Sequence, residues 1–164
     1  MSMTSDPLDL ASARWRGLLQ AYGSAEDIPR LVEALATIDD EGQRAELWFG
    51  AWATLCPEGR VYTAAYAVVP HLLALTEAQG AADRVAAIHI AAEVETLRHV
   101  SGAPPIPDDL VHSYAAAIES LPAKVAELSS VPWDAAIAQV MAAALLAGKR
   151  QPALARAILK IDQE

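Results

Sequence analysis

The stretch that decides the fold is VVPHLLAL at positions 68–75, in which a proline stands among apolar residues at helical spacing. A related segment, IPRLVEAL, occupies positions 28–35, and its proline, Pro29, precedes Pro70 by about 40 residues. A third segment, LPAKVAEL, occupies positions 121–128 and carries Pro122. A motif that returns along the chain at similar intervals indicates repeated helical units.

Glycine and proline divide the chain into about eight predicted helices, because these residues stop or kink a helix. Alternating patterns typical of strands are almost absent. Asp6 and Pro7 favour the start of the first helix, as an N-cap and a first helical residue. The longest predicted linker, 101–107, holds three prolines and a glycine. The predicted helices span about 7–22, 26–38, 40–55, 61–79, 82–100, 108–128, 133–147 and 151–161, with a break at Pro122 as an alternative within 108–128.

The recurring segments and the helices that follow them resemble HEAT repeats over about 26–148. The interval from Pro29 to Pro70 is 41 residues, within the range of about 40–47 found in HEAT and armadillo proteins. The interval from Pro70 to Pro122 is 52 residues, as if the linker 101–107 were an insertion. The resemblance implies one domain, 1–164, folded as an all-α, right-handed α–α superhelix of four antiparallel helix pairs. It also implies that Pro70 kinks its helix and that Asp83 and Arg84 tie neighbouring units together as structural residues.

A finer resemblance covers residues 47–72, where Gly59 to Leu72 reads GRVYTAAYAVVPHL. This segment is similar to one in uncharacterised bacterial HEAT-like proteins, some of which are suspected immunity proteins of contact-dependent toxins. That family usually has His-Gln before the glycine, where this chain has Pro57 and Glu58.

Composition narrows the partners that the domain is expected to bind. The formal net charge is −9, and an acidic surface repels phosphate backbones, so we expect no nucleic-acid partner. No apolar run is long enough to span a bilayer, and the first ten residues lack the basic residues of a secretory signal. With one cysteine, Cys56, these features predict a cytoplasmic protein without a membrane partner, either a monomer or a dimer.

Aromatic residues form the first candidate binding site. Trp48 and Trp52 lie one turn apart on the third predicted helix, and Tyr62 and Tyr66 lie one turn apart on the fourth. A short turn should make these helices antiparallel neighbours, so that the four rings converge with Arg44 and Glu58 beside them. Such residues dominate interface hot spots, and the alternative is that the rings form the core of one repeat.

The fifth predicted helix carries the second candidate pair, His89 and Glu93, four residues apart on a largely apolar helix. This pair could line a pocket, form half a metal site or be a satisfied buried pair. A metal would need further ligands at suitable spacing, so we predict no metal. Glu95 and His99 repeat the same spacing further along this predicted helix.

These observations predict a non-catalytic protein–protein interaction domain, in an immunity or regulatory role, that binds a basic partner on its concave face. No nucleophile motif, phosphate loop or cofactor motif is present, so we predict no catalytic residue and no cofactor. The alternative is a domain that binds or modifies a small ligand. Its pocket would be formed by Trp48, Trp52, Tyr62, Tyr66, His89 and Glu93.

Overall fold

The structure, a computed structural model, describes residues 5–162 and is built mainly from α-helices, which confirms the predicted all-α class. Short 3-10 helices at Ala13–Gly17, Pro57–Gly59, Thr76–Ala78 and Asp108–Leu110 join or precede them. The α-helices of this range are α1 (Ile28–Thr37), α2 (Glu41–Leu55), α3 (Thr63–Leu75), α4 (Ala81–Leu97), α5 (Val111–Glu119), α6 (Leu121–Glu127), α7 (Ala135–Gly148) and α8 (Pro152–Leu159).

The helices pack in two layers that follow the chain. One layer is α1, α3 and α5, in which α3 contacts both neighbours, and the other is α2, α4 and α7, in which α4 lies in the middle. Contacts between α1 and α2, and between α3 and α4, join the layers. Helix α8 packs on α7 and α4, and the side-chain amide of Gln139 donates to the carbonyls of Ile158 and Ile161 at 2.7 and 2.8 Å.

Small side chains let the central helices approach closely. The burial of alanine removes apolar surface from water without requiring space for a long side chain. At the end of α7, Gly148 meets Pro122 so closely that a Cβ atom on Gly148 would lie 2.5 Å from the proline Cδ. The buried alanines of α3, α4 and α7 include Ala64, Ala65, Ala67, Ala87, Ala91, Ala92, Ala143, Ala144 and Ala147.

The predicted first helix, 7–22, is wrong. The chain instead forms the 3-10 helix Ala13–Gly17 and a two-stranded antiparallel ribbon, β1 (Leu19–Gln20) and β2 (Gly23–Ser24). Contacts with the rest of the domain compensate for the missing helical hydrogen bonds: the backbone N–H of Leu19 donates to Thr63 Oγ1, and that of Ala21 donates to the Thr54 carbonyl. Tertiary contacts therefore override the local start signal at Asp6 and Pro7.

The predicted sixth helix, 108–128, is divided in the structure into a 3-10 turn, α5 and α6. The break falls at Ser120, just before Leu121 and Pro122 begin α6. Proline lacks a backbone N–H and fits the first turn of a helix better than its interior, which accounts for the division. Pro70, in contrast, lies inside the continuous helix α3, where it is buried.

No helix within residues 5–162 combines the length and the apolarity that crossing a membrane requires.

Candidate functional site

Helix α2 brings its polar and aromatic side chains onto the face that meets α4. Asp40 caps its first turn, where the carboxylate Oδ1 accepts a 2.8 Å hydrogen bond from the backbone N–H of Gln43. From that start, Arg44, Trp48 and Trp52 follow at intervals of four residues and therefore share one side of the helix. The two tryptophans reach the groove between α2 and α4, whereas Arg44 turns to the start of α4.

Asp83, in the first turn of α4, binds the first two members of this row. Its carboxylate Oδ1 accepts hydrogen bonds from Arg44 Nε at 2.7 Å and from the indole Nε1 of Trp48 at 2.9 Å. Arg44 also donates to the Ile38 carbonyl at the end of α1. Because the Asp83 side chain is only 7% exposed, this ion pair joins two successive helix pairs inside the molecule. The contact assigns Arg44 to the internal packing of the domain.

The space between the two helices is an open groove of about 300 Å³, which we call the α2–α4 groove. Phe49 forms its exposed edge: the side chain is 70% exposed, and its ring centroid lies 6.3 Å from that of Trp52. The indole Nε1 of Trp52 is buried and has no hydrogen-bond partner among residues 5–162. The residues that line the groove are Trp48, Phe49, Trp52, Ala86, His89 and Ile90.

His89 and Glu93 lie at the α4 side of this groove. Nε2 of His89 is 3.7 Å from Oε2 of Glu93, and both side chains are partly exposed. Burial lowers the pKa of His89 and raises the pKa of Glu93, although the positive charge of Arg156 on α8 opposes the latter shift. Both shifts favour the uncharged forms, so the pair is a weak ion pair rather than a strong one.

Cys56, at the end of α2, is fully buried. Burial and the nearby charge of Glu93 raise the pKa of its thiol well above the ordinary value. A thiol held in its protonated form is a poor nucleophile and a poor metal ligand. Within the described range, no three histidine, cysteine or acidic side chains are grouped so that they could hold a metal ion.

The two tyrosines lie away from the tryptophans, so the four rings do not converge. Tyr66 is fully buried, donates a 2.7 Å hydrogen bond to the Pro104 carbonyl and packs edge-to-face on Tyr114 at 5.1 Å. Burial raises its pKa to about 12. Tyr62 lines a different depression with Leu97. The convergence was expected from the short turn after α2, but α2 packs on α1 and α4 instead of extensively on α3.

Glu58 lies in that turn and is exposed, with a left-handed backbone (φ 52°). It does not line the α2–α4 groove. Of the candidate residues, the structure therefore brings Trp48, Trp52 and His89 together in the groove, with Glu93 beside His89. It places Arg44, Glu58, Tyr62 and Tyr66 outside the groove lining.

A polar cluster at the other end of α4 was not among the candidates. The carboxylate of Glu95 accepts hydrogen bonds from Arg98 Nε at 2.7 Å, from Arg98 Nη2 at 2.9 Å and from the Tyr114 hydroxyl at 2.8 Å. Nε2 of His99 lies 3.3 Å from the same carboxylate. We call these four residues the Glu95 cluster. Spacing along α4 indicates the contacts of Glu95 with Arg98 and His99, but no local signal indicates Tyr114 on α5.

Comparisons with protein families, curated proteins and solved structures found no match to this chain.

Proposed function

We propose that this protein is a non-catalytic interaction domain that binds a basic partner protein at the α2–α4 groove. The observation that carries the proposal is Phe49, a large apolar side chain left 70% exposed beside a second aromatic ring, Trp52. Exposed aromatic side chains next to a shallow depression are typical anchors of protein interfaces.

The charge of the chain supports a basic partner. Acidic residues outnumber Lys and Arg by 21 to 12. Near the groove, Arg44 is bound to Asp83, whereas Glu46 is exposed one turn before Phe49. A positively charged partner surface would approach faster and bind more tightly at low salt, because opposite potentials attract within a Debye length of about 10 Å. A toxin with a basic active surface, which the resemblance of residues 47–72 implies, has this chemistry.

The small-ligand alternative has less support at this place. Tyr62 and Tyr66 lie outside the groove, so the six residues Trp48, Trp52, Tyr62, Tyr66, His89 and Glu93 do not line one cavity. The groove itself has a volume of about 300 Å³, at the lower end of the range of about 300–1,000 Å³ for ligand sites. An open groove with an exposed ring at its edge favours a protein surface over an enclosed small molecule.

The experiment is an affinity capture of partners from the native cell with this chain and its Phe49→Ala variant. We expect the wild type to retain a basic protein, more strongly at low salt, and Phe49→Ala to lose it. Tyr22→Ala is the matched control, because Tyr22 is an aromatic residue that is 81% exposed outside the groove. Identical partner lists for the wild type and Phe49→Ala would refute the proposal.

A further inference from the structure

We infer that a second site, separate from the α2–α4 groove, binds a small organic carboxylate with an apolar body. The site is a cleft of about 540 Å³ between the end of α4, helix α5 and the junction of α7 and α8. We call it the α4–α5 cleft. Its volume falls within the usual range of ligand pockets, about 300–1,000 Å³, and the Glu95 cluster forms one of its walls.

In the wall formed by the Glu95 cluster, the guanidinium of Arg98 is fixed by Glu95 and faces the cleft. Glu95, only 6% exposed, uses both carboxylate oxygens on Arg98, His99 and Tyr114, so it has little capacity to accept from a ligand. Arg98 donates from Nε and Nη2 to Glu95, and its Cζ lies 6.0 Å from the Tyr114 ring centroid. Its Nη1 makes no hydrogen bond to any residue of the described chain, and the side chain is 31% exposed. The Nη1 donor of Arg98, whose guanidinium is orientated by Glu95, suits an anionic oxygen of a ligand.

Arg150 supplies a second cation at the mouth of the cleft. Its side chain is 87% exposed, and within residues 5–162 its ion pair is with Glu119 at 3.3 Å, an exposed pair of the kind that contributes little energy. Its backbone is left-handed, with φ 62°, just after the end of α7. Glycine is the usual residue at such a position, because a side chain there strains the backbone. A strained arginine at the entrance of a cleft points to a role that outweighs this cost.

The remaining walls of the cleft are apolar, so they favour a ligand whose part beyond the carboxylate is apolar. Glu95 and Glu119 balance the charges of Arg98 and Arg150, which leaves the cleft near neutrality and favours a monoanion over a polyanion such as a nucleotide. A planar carboxylate also matches the fork of donors on a guanidinium. The apolar lining comes from Ile106, Val111, Ala115, Ile118, Ala147 and Pro152.

Octanoate is the test ligand, and octylamine is the control with the same chain length and the opposite charge. Each competes with the fluorescent dye anilinonaphthalene sulfonate bound to the full-length protein. We expect octanoate to displace the dye at about tenfold lower concentration than octylamine, a difference of about 1.4 kcal/mol. Equal displacement by the two compounds would overturn the inference, and so would the absence of octanoate binding.

Two variants locate the binding. Arg150→Gly relieves the backbone strain and should fold at least as well as the wild type, yet we expect it to weaken octanoate binding about threefold to fivefold. Ala115→Leu fills the cleft from an exposed helix position and should abolish octanoate binding, with thermal unfolding as the check on folding. Phe49→Ala should leave octanoate binding unchanged, which separates this site from the α2–α4 groove. Unchanged octanoate binding in Arg150→Gly would place the ligand elsewhere and refute the assignment.

Discussion

The carboxylate of Asp83, in the first turn of α4, lies 2.7 Å from Nε of Arg44 on α2. The two residues are 39 positions apart, close to the interval between Pro29 and Pro70. Arg84, the next residue, reaches in the other direction, and its Nη2 lies 2.6 Å from Glu127 at the end of α6. Adjacent residues of α4 thus form ion pairs with α2, which precedes α4 in the chain, and with α6, which follows it.

Asp83→Ala should destabilise the domain by about 2–4 kcal/mol, because it leaves the partly buried Arg44 and the indole N–H of Trp48 without their shared acceptor. Urea unfolding followed by tryptophan fluorescence measures the change. Asp109→Ala is the matched control: it breaks an Arg–Asp pair with Arg14 at 2.9 Å, but the two side chains are 49% and 36% exposed. The control should cost less than about 1 kcal/mol. Equal losses for the two variants would contradict the structural role of Asp83.

Two glycines in helices should respond to alanine in opposite directions. Gly50 lies in the interior of α2, and a Cβ there would meet no atom within 4 Å, so Gly50→Ala should stabilise the protein by about 0.5–1 kcal/mol. A Cβ on Gly148 would approach Pro122 to 2.5 Å and the Ile118 carbonyl oxygen to 3.1 Å. Gly148→Ala should therefore destabilise by about 1–3 kcal/mol. Chemical denaturation of both variants provides the test, and a stabilised Gly148→Ala would show that α6 and α7 are not so close.

His89 should make the domain less stable in mild acid. Burial lowers its pKa from the ordinary value of 6.5, so below about pH 6.5 the unfolded chain takes up a proton more readily than the folded protein. Stability is then lost as the pH falls from 6.5 through the lowered pKa. His89→Gln should reduce this loss. The partial exposure of the imidazole limits the size of this loss of stability.

Urea unfolding of the wild type and His89→Gln between pH 5 and pH 8 measures the effect. Glu93 lies 3.7 Å from His89, and its raised pKa acts in the opposite sense, since its protonated form is favoured in the folded state. Comparison of the two proteins at each pH isolates the contribution of His89. Parallel stability curves would show that the imidazole is not desolvated by folding.

Part of the candidate site could be predicted from local spacing alone. Residues four apart on one helix share a face, as Trp48 and Trp52 do on α2 and His89 and Glu93 do on α4. The helix that packs against each face could not be predicted in this way. The short turn after Leu55 suggested that α2 packs on the next helix, whereas its main partners are α1 and α4. The tyrosines were therefore assigned to the wrong neighbours, and Tyr114 was missed in the Glu95 cluster.

The sequence by itself determined that the chain is helical and where most helices end, because propensity, capping and the effects of proline and glycine act within a turn or two of the residue concerned. Only the tertiary structure decided the form of residues 7–25 and the set of side chains that meet in each groove. These features depend on contacts between residues far apart in the chain, such as Leu19 with Thr63 or Glu95 with Tyr114. Their energies outweigh local preference only after the helices have packed.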